Sequence, residues 1–290
     1  MSNLRDEIAR RRAQLTPEQA ARLSQRLRAT PAVGAVLPPK PRAPSASVPL
    51  SFAQERIWFL SQLDPGSAAY HVGNAIRLRG DLKLPLLQQA LDLIVARHEV
   101  LRTTFPIVDG LPSQQIGPAQ PAPFVISDLR AQQHGDDRLV QQLIQHEVEQ
   151  PFDLAAAPPW RVRLLQASDD DQVLVITMHH IISDGWSWDV LLSELATLYN
   201  QLTSAIPHPE GTRLPPLPLH YADIALWQRN LSQQPAMQEH IDYWAAQLRD
   251  LPPPLTLPTD HPRAATPNPP KTWLTQPIPD DLQHALQALS

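Results

Sequence analysis

Apolar positions along this chain switch between two spacings, and each switch marks a change of element. Leu87, Ala90, Leu91, Ile94 and Val95 recur at helical spacing, which predicts a helix over about Leu84–Glu99 with one buried face. Before it, Val72, Ile76 and Leu78 alternate with Arg77 and Arg79, a strand pattern over His71–Arg79. Leu139, Leu143 and Ile144 mark another helix; Phe124–Ser127 reads as a short strand, and so does the alternation of Trp160, Val162 and Leu164 with Arg161 and Arg163. Gln172–Met178 is nearly continuous in apolar residues, as expected of a strand covered on both faces, and Ser187–Leu202 returns to helical spacing through Leu191, Leu192, Leu195 and Leu198. Helices are also expected from near Ser51, around Tyr221–Leu231 and around Met237–Leu248. Helices interleaved with strands imply an α/β or α+β layer fold.

The two ends differ from this body. Residues 2–29 read as two short helices rich in arginine, the second opened by the capping sequence Thr16-Pro17-Glu18-Gln19. Such a piece is either a solvated leader or a docking element for another polypeptide. Near the other end Asp280 and Asp281 open a helix whose apolar side is Leu282, Ala285, Leu286 and Leu289, an element that reads as interrupted. Proline is abundant, 33 residues against 9 glycines, and clusters at Pro31–Pro49, Pro207–Pro218 and Pro252–Pro270. Proline fixes φ and lacks an N–H donor, so these stretches are extended connectors that partition the chain.

Composition narrows the function classes. The chain has 290 residues, 42% hydrophobic, with a net charge of -5 and both signs spread along its length. That balance argues against a nucleic-acid or membrane-surface binder. No stretch approaches the ~18 consecutive apolar residues of a membrane span, and the N-terminus lacks the apolar core of a secretory signal. A cytoplasmic protein is expected. Cysteine is absent, which removes disulfides and thiolate catalysis.

Candidate chemistry concentrates at Met178-His179-His180-Ile181-Ile182-Ser183-Asp184-Gly185, where the apolar strand meets the following helix. A histidine at a strand end can take a proton near neutrality, and a positioned general base is typically worth ~10²–10⁴-fold. Neighbouring side chains on a strand point to opposite faces, so only one of His179 and His180 can face a given cavity. Asp184 could orient the imidazole directly or hold the loop through an arginine. Metal binding would need a third ligand, and no cluster such as HExxH supplies it. Trp58 and Trp227, at helical spacing among apolar neighbours, read first as core.

The run resembles the HHxxxDG signature of non-ribosomal peptide synthetase condensation domains, related to chloramphenicol acetyltransferase. Three flanking runs resemble that family's motifs in order: Leu50-Ser51-Phe52-Ala53-Gln54-Glu55-Arg56-Ile57-Trp58-Phe59-Leu60, Arg97-His98-Glu99-Val100-Leu101-Arg102-Thr103-Thr104-Phe105, and Tyr221-Ala222-Asp223-Ile224-Ala225-Leu226-Trp227. The wording of the second and third motifs is most similar to the subtype that joins two L-configured residues.

The resemblance implies a two-layer α+β sandwich, a chloramphenicol acetyltransferase-like lobe, truncated. Residues 1–30 would be the leader, 31–49 the linker, 50–250 the N-terminal lobe, and 251–290 a connector and the start of an incomplete second lobe. It implies amide formation between thioesters carried on the 4'-phosphopantetheine arms of donor and acceptor peptidyl carrier proteins, with no metal and no cofactor bound directly. His180 would position or deprotonate the attacking amine, His179 and Asp184 would build the loop, and Gly185 would let backbone approach the substrate. Arg97 or Arg102 would anchor Asp184, with Trp227 supporting the site. The leader would dock an upstream synthetase or polyketide synthase subunit. Two alternatives stay open: a stand-alone HHxxxD acyltransferase using acyl-coenzyme A, and a non-catalytic module that binds carrier proteins.

Overall fold

The computed structural model of the chain describes residues 38–43, 48–131, 137–204, 214–253, 255, 258 and 277–289. The expected leader helices, most of the Pro31–Pro49 stretch and most of 254–276 lie outside the described residues. The chain divides into two units, up to Tyr243 and from Trp244 onward.

In the first unit the elements follow in the order β1 (Val48–Pro49), α1 (Phe52–Leu63), β2 (His71–Arg79), α2 (Leu84–Arg97), a 3-10 turn at Glu99–Arg102, β3 (Thr103–Thr104), β4 (Ile107–Val108), β5 (Leu111–Ile116), β6 (Phe124–Asp128), α3 (Asp137–Glu149), β7 (Trp160–Gln166), β8 (Asp171–His179), α4 (Gly185–Thr203) and α5 (Tyr221–Ser232). Helix α6 (Pro235–Gln247) follows. The second unit contains α7 (Asp280–Leu289), whose apolar side chains Leu282, Leu286 and Leu289 are exposed. No helix among the described residues is long and apolar enough to cross a membrane.

The main sheet has the order β2-β8-β7-β6, with β6 parallel to β7 and the other pairs antiparallel. Strand β8 is central and paired along its length, His71 facing His179 at one end and Arg79 facing Asp171 at the other. Its alternation sorts two packed faces. Leu174, Ile176 and Met178 join Trp160, Val162 and Leu164 against the buried stripes of α2 and α4. Val173, Val175 and Leu165 pack with Val140 of α3 on the other face. The mixed α/β layering expected from the sequence is therefore present, with α3 adding cover to the second face. The arginines that alternate along β7 are half-buried under α3, where Arg161 and Arg163 both bind the buried Glu147, at 3.0 and 2.5 Å.

Local sequence explains most element ends. Ser51 and Gln54 form a reciprocal cap at the start of α1. Helix α2 buries the stripe read from sequence, Leu87 to Val95, but stops at Arg97; the chain then tightens into the 3-10 turn. A second sheet, β1-β5-β3 with β4 also on β5, had no counterpart in the sequence reading. Its hairpin turn Asp109-Gly110 has φ of 52° and 80°, the positive values that an Asp-Gly pair adopts readily. Part of the expected 31–49 connector is not a free spacer. Val48 and Pro49 pair with Gln114 and Ser113, and Arg42 binds Glu99 and Asp223 at 2.8 and 2.9 Å.

On β2, a Cβ at Gly73 would lie 2.2 Å from Cγ2 of Val148 in α3. Gly73→Ala should therefore cost about 1–3 kcal/mol of stability through overpacking. Val148→Ala in the same chain should recover most of that loss in urea unfolding; additive losses would show that the close approach is not what Gly73 serves.

Candidate active site

Strand β8 ends at His179, the backbone turns through 180–184, and α4 begins at Gly185. The two histidines leave this end with opposite fates. His179 is 3% exposed. Its Nδ1 accepts the Ile181 N–H at 3.1 Å, and its carbonyl accepts the Ile182 N–H at 3.0 Å and the Ser183 hydroxyl at 3.2 Å. Its ring packs among His71, Phe152 and Tyr70. Burial, helped by nearby His71 and His180, pushes its pKa down to about 4. His179 is thus a neutral structural imidazole.

His180 is exposed. Its backbone N–H donates to the Tyr70 carbonyl, and its Nδ1 lies 2.8 Å from the Ser183 carbonyl. A carbonyl has no proton to give, so the tautomer assigned from this contact carries the proton on Nδ1 and a lone pair on Nε2. The loop thus orients the imidazole, with the lone pair left on its second nitrogen.

Asp184 caps α4: its carboxylate accepts the Ser187 hydroxyl at 2.7 Å and the Ser187 N–H at 2.9 Å, and these bonds hold its pKa below the usual carboxylate range. The expected arginine anchor is not formed by Arg97 or Arg102. Arg97 binds Glu194 at 3.1 Å, and His98 binds the same carboxylate at 2.6 Å. Arg102 donates to the Gly117 carbonyl and lies 3.7 Å from Glu99. The reason is geometric: Arg97 ends α2 beside the middle of α4, and Glu194 stands about 13 Å along that helix from its capped start. Gly185 has open space where a Cβ would be, so nothing among the described residues demands a glycine there. Trp227 is half-buried on α5; Trp58 packs on the main core and donates to the Phe105 carbonyl at 3.2 Å.

The four sequence motifs, spread over residues 50–227, converge in space. Ser51 meets the Tyr221 hydroxyl at 2.9 Å, tying the first motif to the fourth, and Arg229, two residues past the fourth, donates to the Leu50 carbonyl at 2.8 Å. Arg42 bridges Glu99 of the second to Asp223 of the fourth. The buried amide of Gln54 donates to the Ile181 carbonyl at 3.2 Å, tying the first to the histidine corner. Gln54 was not singled out from the sequence; its capping-box position was the available signal. Beside the corner a hollow of about 190 Å³ is lined by His98, Met178, Ile182, Trp186, Ser187 and Leu191, among others, and Trp186 is 78% exposed. A cavity of about 730 Å³ lies elsewhere, against Arg102, Ile116, Phe152 and Trp160; no residue of 179–185 lines it.

Residues 45–289 match the condensation domain, and the chain belongs to that family. It is 37% identical over 288 residues to phosphinothricin tripeptide synthetase PhsC of Streptomyces viridochromogenes, covering 98% of this chain and 26% of that protein. It is 42% identical over 219 residues to the nonribosomal peptide synthetase kk1B of Curvularia clavata, covering 76% of this chain and 2% of that protein. Among solved structures, the X-domain in the complex of the X-domain and OxyB from teicoplanin biosynthesis aligns at 32% identity with a TM-score of 0.65, covering 82% of this chain and 50% of that one. The starter condensation domain of rhizomide synthetase RzmA shares the fold at 22% identity and a TM-score of 0.64, covering 72% of this chain and 50% of that one. The chain therefore spans only a small part of the synthetases it matches and half of the solved domains.

Burial of neutral His179 makes stability depend on pH. Below the ordinary histidine pKa of about 6.5 the unfolded chain takes a proton that the folded chain refuses until about pH 4, so stability is lost as pH falls through this window. His179→Asn, which keeps an acceptor, should reduce the loss between pH 7 and pH 5 by about 2 kcal/mol in urea titrations. An unchanged loss would mean that His179 is not the group responsible.

Proposed function

We propose that the histidine corner serves amide-bond formation between two carrier-bound thioesters, with His180 as the group that meets the attacking amine. The observation that carries this reading is the exposed His180 whose Nδ1 is engaged by the Ser183 carbonyl, while its Nε2 has no hydrogen-bond partner among the described residues. The relatives are peptide synthetases, which supports substrates delivered on 4'-phosphopantetheine arms. In the step proposed, the acceptor α-amine attacks the donor thioester carbon, a C–N bond forms and the C–S bond breaks. His180 Nε2 takes the proton released by nitrogen and returns it to the departing thiolate. A thioester is already activated, so holding both substrates at the corner supplies much of the rate, up to ~7–11 kcal/mol from proximity.

Donor and acceptor peptidyl carrier proteins are the partners in this reading, and the cytoplasm is its compartment. Leader docking to an upstream synthetase or polyketide synthase subunit belongs to the same proposal, although residues 1–30 lie outside the described residues. Asp184 sets the start of α4 through Ser187, and Gly185 keeps the approach to His180 open, since nothing among the described residues fills the space where its Cβ would be. Trp227, on the motif that binds Ser51 through Tyr221, is assigned a supporting role. Arg97 and Arg102 support the site from a distance, by fixing α2 against α4 and the turn after α2 against Gly117. A second reading, a binding module without turnover, draws on the neighbour solved as a complex of an X-domain and OxyB, in which a similar fold holds a partner protein.

The protein carrying these residues, given loaded donor and acceptor carrier proteins, separates the two readings. In single-turnover assays His180→Ala should lower amide formation by roughly 10²–10⁴-fold with an unchanged circular dichroism spectrum. A wild-type rate in that variant would remove His180 from the chemistry. Carrier binding without product from the wild-type chain would favour the second reading.

A further inference from the structure

The corner is held from outside its own loop by one buried side chain. Gln54 is 2% exposed, and every polar atom of its amide has a partner. Its Oε1 accepts the Ser51 N–H at 3.0 Å, while Nε2 donates to the Ile181 carbonyl at 3.2 Å and to Gln114 Oε1 at 3.3 Å. The Gln114 amide nitrogen in turn donates to the Pro49 carbonyl at 2.9 Å, so a flip of either amide would set like atoms against each other. We propose that Gln54 is a positioning residue of the histidine corner, its side-chain amide holding the Ile181 carbonyl so that His180 keeps the orientation in which Nδ1 meets the Ser183 carbonyl and Nε2 is left unengaged. The proposal rests on the reading of His180 as the group that meets the amine.

Two observations separate this role from helix capping alone. A capping box asks only for an acceptor at this position, and glutamate supplies one as well as glutamine does. Only glutamine can also donate, and its donor half faces the corner, 127 residues further along the chain. The second observation is what the bond immobilises. The Ile181 N–H is held by His179 Nδ1 and the Ile181 carbonyl by Gln54, so the residue that follows His180 is pinned on both sides. Ser183, whose carbonyl fixes His180 Nδ1, lies two residues beyond. Without Gln54 the Ile181 carbonyl would be left without this partner, and the turn would be free to rotate away from the geometry that places Ser183 under the imidazole.

The test uses the full 290-residue chain and no substrate. Long-range ¹H–¹⁵N NMR reports which imidazole nitrogen of His180 carries the proton, with assignment by comparison to His180→Gln. The wild-type chain should show the Nδ1–H form. Gln54→Glu, which keeps the acceptor for the Ser51 N–H and loses the donor, should populate both tautomers and speed amide exchange at Ile181 and Ile182 roughly tenfold or more. Gln54→Met carries the same readout should the glutamate variant fail to fold. Gln114→Met, which disturbs the same network but leaves the Ile181 contact, should keep the wild-type tautomer. A folded Gln54 variant with wild-type tautomer and exchange overturns the proposal, as do equal effects from Gln54→Glu and Gln114→Met. Loss of the amide-forming role at His180 would sink the functional reading, whereas the hold of Gln54 on the corner is decided by NMR alone.

Discussion

The register of β8 is the constraint from which the rest of the first unit follows. The strand is hydrogen-bonded on both sides, to β2 and to β7, and covered on both faces, so a slip by one residue would move every apolar side chain to the wrong layer. Leu174, Ile176 and Met178 would leave the packing of α2 and α4, and Val173 and Val175 would leave α3. The same alternation delivers His179 to the face of Val173 and Val175, where it is buried beside His71 and Phe152. His180 then falls at the first residue of the turn, where an exposed imidazole costs little. The division of labour between two adjacent histidines is a consequence of strand geometry.

Polar groups hold the surroundings of this strand end in place. Arg42, Gln54 and Tyr221 each join segments far apart in sequence, and two of the groups they reach, Ser51 and Asp223, are themselves buried. Buried polar groups of this kind are costly when unpaired, so their networks specify one arrangement more sharply than apolar packing does. Asp184 illustrates the local alternative. Its carboxylate is satisfied by the Ser187 N–H and hydroxyl at the start of α4, and the arginines expected to anchor it are occupied by Glu194, Glu99 and Gly117.

Much of the architecture was legible because periodicity reports burial directly. The stripes of α2 and α4, the alternation on β2 and β7 and the apolar run of β8 all lie where the sequence pattern places them, within a residue or two. Short strands were not legible. Two-residue pairings such as Thr103–Thr104 have no period to detect, and Asp109-Gly110 is the one local turn signal in this sheet. The proline-rich stretch ending at Pro49 suggested a spacer because proline's missing donor is visible in sequence, while the pairing of Val48 and Pro49 with β5 is not.

The sequence by itself determined the layer fold, the strand-to-helix corner and its membership of an HHxxxDG family, because these depend on local spacing and on residue types that chemistry restricts. It could not determine which partner each charged or amide group would take. Arg97 binds Glu194, Arg42 binds Glu99 and Asp223, and Gln54 reaches Ile181, each across a contact that the packed fold creates. Such bonds form between groups far apart along the chain, and several partners of the right charge compete for each. Packing of the two apolar faces of β8 decides which of them comes within reach.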